Sequence, residues 1–81
     1  MPVELPGLML RDYGHIRVNL KELMDRDGIT RYALARSVAT RFEVIDKWYN
    51  GDVERIDLEV LARICFVLNC RIEDILIYEK P

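Results

Sequence analysis

The sequence predicts an all-α domain of five short helices, with a short strand at each end. Two observations carry this. Apolar residues recur at i, i+3, i+4 in separate short blocks, each opened by Asn, Thr or Asp and most closed by Gly or Asn. The segments His15 to Asn19 and Ile77 to Glu79 instead alternate polar with apolar residues, as strands do. Eighty-one residues suit one domain. A chain of this size buries only about 60–65% of its unfolded surface, so its core must be small and efficient. With 51% apolar and 32% charged residues, the composition is that of a globule and not of a disordered tail.

Residues 1–14 hold two prolines, Gly7 and Gly14, around Leu8, Met9 and Leu10, and read as a loosely structured arm. The domain proper spans 15–81. Its first segment, His15 to Asn19, sets Ile16 and Val18 on one face of a strand. Asn19 offers an N-cap to helix one, whose stripe is Leu20, Leu23 and Met24 and whose stop is Gly28. Thr30 caps helix two, with Leu34, Ala35 and Val38 inward. Only Ala39 and Thr40 then precede helix three, where Thr40-Arg41-Phe42-Glu43 matches a capping box. Val44, Ile45 and Trp48 form its buried stripe and Asn50-Gly51 its end. Asp57 caps helix four, with apolar positions Leu58, Leu61, Ala62, Ile64, Cys65 and Leu68, and Asn69 reads as a left-handed C-cap. Ile72, Ile75 and Leu76 mark a last helical turn, and Ile77-Tyr78-Glu79 extends as a strand.

Composition excludes most chemistry. A single histidine, His15, and two cysteines without metal or disulfide spacing, Cys65 and Cys70, leave almost nothing for catalysis. No catalytic residue, metal or cofactor is expected, and the chain does not read as an enzyme. The cysteines read as small buried hydrophobes rather than a redox pair. No apolar run approaches the roughly 20 residues of a membrane span, and Met1 to Pro6 lacks a basic signal region, so a cytoplasmic location is expected. Net charge is −2, which argues against coating nucleic acid through bulk charge. The segment from Gly28 to Gly51 nevertheless holds four cations (Arg31, Arg36, Arg41, Lys47) against two anions (Glu43, Asp46), leaving eight cations and twelve anions elsewhere. A weakly basic segment on an acidic body suits a focused anion-facing surface.

Helices two and three, so tightly joined, form a helix-turn-helix unit with the second as reader. The spacing Gly28-Ile29-Thr30-Arg31, Leu34-Ala35, Ile45, Trp48, Asn50-Gly51 resembles the lambda-repressor-like, Cro-type family of bacterial and phage regulators. Asp57-Leu58-Glu59-Val60-Leu61, Ile64-Cys65, Leu68-Asn69-Cys70 and Asp74-Ile75-Leu76 resemble its fourth and fifth helices in register. The terminal segments are similar to those of short single-domain members. The resemblance implies a five-helix lambda-repressor-like fold, a third helix in the major groove of an operator, and phosphates held at the starts of helices two and three. Carried onto this chain, Arg31 faces a phosphate, Asn50 contacts the backbone, Phe42, Glu43 and Asp46 face bases, and Lys47 lies near a flanking phosphate. Three departures stand out: Ala39 replaces the usual turn glycine and must take a positive φ, Tyr49 replaces a glutamate, and positions 42 and 43 lack glutamine or arginine.

Each residue keeps a plainer reading beside the functional one. Arg31 is a phosphate clamp or a solvated helix residue, and Phe42 a base-edge contact able to meet a thymine methyl or a hydrophobic cap on its own helix. Glu43 is a capping-box partner or an acceptor for cytosine N4; Asp46 is a solvated charge beside Lys47 or a reader. Arg41 and Arg55 are phosphate contacts or surface residues. Trp48 belongs to the core, and Tyr49 stays open. The expected function is a sequence-specific transcriptional repressor, acting as a homodimer on a roughly palindromic site. The terminal strands are expected to pair with each other, and their sheet or the last helix to meet the second copy. The alternatives are an antitoxin-type regulator masking a protein partner through Met1 to Gly14, and a protein-interaction module that has lost DNA.

Overall fold

A computed structural model describes residues 12–81 of the chain; most of the arm expected over 1–14 lies outside them. The order is β1 (His15–Val18), α1 (Leu20–Asp27), α2 (Arg31–Ser37), α3 (Phe42–Asn50), α4 (Leu58–Leu68), α5 (Ile72–Ile75) and β2 (Leu76–Glu79). The five helices follow the expected order, and the two terminal segments pair as an antiparallel ribbon, His15 opposite Glu79 and Val18 opposite Leu76. Leu76 joins the strand rather than the last helix.

One core holds the helices together. Leu20 and Met24 from α1, Leu34 from α2, Ile45 from α3, Ile64 from α4 and Ile75 from α5 are fully buried, with Val38 and Trp48 nearly so. Each such aliphatic side chain contributes about 1.5–3 kcal/mol by leaving water. The predicted stops hold: Gly28 and Gly51 take left-handed φ of 66° and 77°, and Asn69 does so at 50°. Thr30 accepts from the Ala33 amide, and Asp57 accepts from the amides of Glu59 and Val60.

Three local expectations are corrected. Asn19 stands at the start of α1, but its φ of −107° and ψ of 27° turn its side chain away from the helix, and it makes no cap bond. Instead its backbone N–H donates to the Ile75 carbonyl at 2.7 Å and its side-chain amide to the Asp74 carbonyl at 3.2 Å. It ties the two ends of the domain together. Secondly, the Thr40–Glu43 capping box does not form. The helix starts one residue later than expected, with Arg41 as N-cap and no side-chain cap bond. The Thr40 amide is used to close the turn onto the Ala35 carbonyl at 3.0 Å, and Glu43 falls one position short of the box. Thirdly, α4 buries Val60, Leu61, Ile64 and Leu68 while Leu58 is 76% exposed and Ala62 also faces outward. This helix is apolar around most of its circumference, so burial follows the position of its neighbours and not its composition.

Ala39 adopts φ 55°, as the missing turn glycine requires. A left-handed conformation costs an L-residue about 1–2 kcal/mol, against roughly 0.4–1 kcal/mol of extra chain entropy that glycine brings to the unfolded state. Ala39→Gly is therefore expected to stabilise the domain by about 0.5–1 kcal/mol. Thermal unfolding should show a rise of roughly 2–8 °C; an unchanged or lower midpoint would mean the turn is not strained.

Candidate nucleic-acid interface

The interface is built on the turn between α2 and α3. The Ala39 amide donates to the Arg36 carbonyl at 3.2 Å and the Thr40 amide to the Ala35 carbonyl at 3.0 Å, so the chain reverses within four residues. Ile45 and Trp48 anchor α3 in the core from one side. That burial fixes which face remains outward: Glu43 and Lys47 are exposed, with Phe42 and Asp46 half covered. No side chain caps α3; the Val44 amide donates to the Arg41 carbonyl at 3.1 Å, and the Phe42 and Glu43 amides ahead of it face outward to meet an anion.

Charge on this surface is divided in two. Arg31, at the first position of α2, is engaged: its Nη1 donates to Asp46 Oδ1 at 2.6 Å, and its guanidinium lies 5.7 Å from the Phe42 ring centre and 5.0 Å from that of Tyr49. Asp46 therefore faces Arg31 rather than solvent or Lys47. Among the described residues, Arg36, Arg41, Lys47 and Arg55 form no ion pair. Arg41 stands at the start of α3, while Lys47 and Arg55 line one open groove with Val44, Trp48, Val53 and three carboxylates, Asp52, Glu54 and Asp57. The structure thus brings Arg31, Phe42 and Asp46 into contact, and groups Lys47 with Arg55. Asn50 is exposed at the last position of α3.

Two aromatic residues acquire roles that sequence reasoning missed or left open. Tyr32, 70% exposed, stacks on Phe42 with ring centres 4.3 Å apart and planes 20° from parallel. Phe42 follows Tyr32 by ten positions on a different helix, and no periodicity links the two. Tyr49 donates its hydroxyl to Asp25 Oδ1 at 3.0 Å, while Lys21 donates to Asp25 Oδ2 at 3.0 Å and lies 5.6 Å from the Tyr49 ring centre. These hydrogen bonds from Lys21 and Tyr49 hold the Asp25 carboxyl below its ordinary pKa, and the bond to Asp25 raises Lys21. By linkage, this tie between α1 and α3 is complete above the ordinary carboxylate pKa and is lost as pH falls through the depressed one.

No group of three or more metal-ligating side chains is present among the described residues. Both cysteines are half-buried, and burial, with Cys65 beside it, pushes the Cys70 thiol up to about 11. No helix among the described residues is long and apolar enough to cross a membrane.

Comparison with known proteins adds two findings. A family model for the Cro/C1-type HTH DNA-binding domain matches residues 19–81. The fold is similar to the crystal structure of the transcriptional regulator VanUg (Form II), with a TM-score of 0.67 and 22% identity over 94% of this chain and 100% of that one. Comparison with curated proteins yields no match.

The thiol shift has a direct consequence. Cys70 should react with an alkylating reagent at pH 8 roughly 100-fold more slowly than a cysteine of ordinary pKa, in proportion to its thiolate fraction. Timed labelling read by mass spectrometry checks this; labelling at the rate of a free thiol would contradict the burial.

Proposed function

Because the chain belongs to the family of Cro/C1-type helix-turn-helix DNA-binding domains, we propose that it is a sequence-specific transcriptional repressor of a bacterial cytoplasm, binding its operator as two copies. The observation that carries this reading is an uncapped α3 N-terminus with unpaired Arg41 beside it, together with unpaired Lys47 in the last turn of the same helix and Arg55 in the groove next to it. Phosphates would lie along these cations and the free amides, and Asn50 would reach the backbone at the other end of the helix. Phe42 would meet a base edge between them. Glu43, released from the capping role, would accept from cytosine N4. A carboxylate adds repulsion toward the duplex as a whole, so its contribution is selectivity rather than affinity.

Arg31 can hold a phosphate only by exchanging Asp46 for it. The ion pair is half-exposed on both sides, so water screens it and the exchange is inexpensive. In the DNA-free protein Asp46 keeps the guanidinium over Phe42 and Tyr49, which positions it beside the groove-facing edge of α3. Two copies are needed because one short domain makes few contacts, and half-sites about 34 Å apart match one helical turn of DNA.

Selection of bound duplexes from a random pool, followed by a salt titration, tests the proposal. Binding should fall steeply with salt, since each neutralised phosphate releases counterions. Arg41→Ala and Lys47→Ala should each lower the salt slope by roughly one while leaving sequence preference unchanged, and Asp46→Asn should raise it by roughly one by freeing Arg31. Glu43→Gln should instead relax preference at one cytosine, at about 1–3 kcal/mol of discrimination. Failure to select any duplex, or slopes unmoved in both cation variants, would exclude groove docking and favour a protein-binding module.

A further inference from the structure

Helix α4 buries one face and leaves the other bare. With Val60, Leu61, Ile64 and Leu68 in the core, the opposite face carries Leu58, Ala62 and Phe66 at i, i+4, i+8, with Glu59 and Arg63 along one side. Phe66 is 86% exposed, the most exposed large hydrophobic among the described residues. The terminal ribbon also exposes Ile16 and Tyr78, which sit opposite one another and are each little more than half exposed. The Tyr78 hydroxyl is tied to the Tyr13 carbonyl at 2.8 Å, and the flanking His15 and Arg17 are paired with Glu79. These polar side chains are tied within their own chain, although both outer strand edges stay open among the described residues. Leu58 and Phe66 on α4 are barer still.

We propose that the outer face of α4 is the contact surface for a second copy of this chain. This rests on the two-copy reading of the function and names its interface, in place of the terminal ribbon. Two copies of α4 laid antiparallel about a two-fold axis at Ala62 set Phe66 of each against Leu58 of the other. The small Ala62 at the crossing lets the helix axes approach to about 8 Å. The same operation brings Glu59 of each copy to Arg63 of the other. Within one chain the Arg63 Nη1 donates to the Val38 carbonyl at 3.3 Å, while its Nη2 lies 3.8 Å from Glu59, a long and solvated contact that a partner's carboxylate can replace. A parallel pairing would put the Glu59–Arg63 edges of the two copies on opposite flanks of the contact, where neither cross-pair forms. Four large apolar side chains, two from each copy, leave water, at very roughly 100–200 Å² each. The total from these side chains, about 400–800 Å², is below that of a stable specific interface, so the dimer is a weak one that tightens when both copies meet DNA.

Sedimentation of the full chain without DNA, over a concentration series, tests this. The unmodified protein should show a reversible dimer at tens of micromolar. Phe66→Glu should raise the dissociation constant at least about 30-fold with an unchanged helical circular dichroism spectrum. Glu59→Arg should weaken association several-fold, and the double reversal Glu59→Arg with Arg63→Glu should restore it. Undiminished association in Phe66→Glu, or no recovery in the double reversal, would overturn the proposal. So would an unmodified chain that stays monomeric at 200 μM, which would assign this face to a different protein. DNA binding is scored separately: a dimer broken by Phe66→Glu in a chain that selects no duplex upholds the interface and removes the repressor reading.

Discussion

The turn from Val38 to Arg41 is the constraint on which the rest of the interface depends. It reverses the chain without a glycine, so Ala39 must hold φ 55° and the amides of Ala39 and Thr40 must fold back onto α2. The core keeps it there: Val38 on one side of the turn and Ile45 on the other are buried together, and slackening the turn would expose both. Strain of about 1–2 kcal/mol is thereby held by burial worth more. The same turn delays the start of α3 by one residue, which dissolves the capping box and leaves the helix N-terminus open. An uncapped helix start is a small loss of stability and a gain in anion affinity.

Electrostatics then sort the surface into a held part and a free part. Arg31 is occupied by Asp46 and sandwiched by Phe42 and Tyr49, and Tyr49 is in turn held by Asp25 and Lys21. This chain of contacts runs along the surface of α1, α2 and α3, over the buried cluster that places the three helices. Arg41, Lys47 and Arg55 take no part in it. Asp46 and Asp25 are spent on Arg31 and Lys21, but Asp52, Glu54 and Asp57 share the groove with Lys47 and Arg55, so the free cations stand among carboxylates and the local field is mixed.

Much of this was legible in the sequence, for reasons that can be named. Gly28, Gly51 and Asn69 are residues that tolerate positive φ, and Thr30 and Asp57 carry acceptors at the right offset from the first apolar residue, so the limits of the helices followed from local chemistry. The alternation in His15 to Asn19 and Ile77 to Glu79 likewise announced the ribbon. Thr40 misled because a capping box needs an exact offset, and the turn geometry moved the helix start by one residue. Leu58 and Ala62 misled because α4 offers apolar residues to every side, and only the arrangement of the other helices decides which are covered. The Arg31–Asp46 pair and the Tyr32–Phe42 stack join residues fifteen and ten apart on different helices, and no local pattern encodes either. The candidate site was therefore legible as a set of positions, and illegible as a network.

The central claim is that α3 enters the major groove with its N-terminus leading. Amide chemical-shift mapping with a duplex obtained by selection tests it most directly. The account predicts the largest changes at Arg41 to Asn50 and at the start of α2, growing as salt is lowered. Changes confined to α4 and the terminal ribbon, with residues 41–50 unmoved in the presence of saturating DNA, would contradict it.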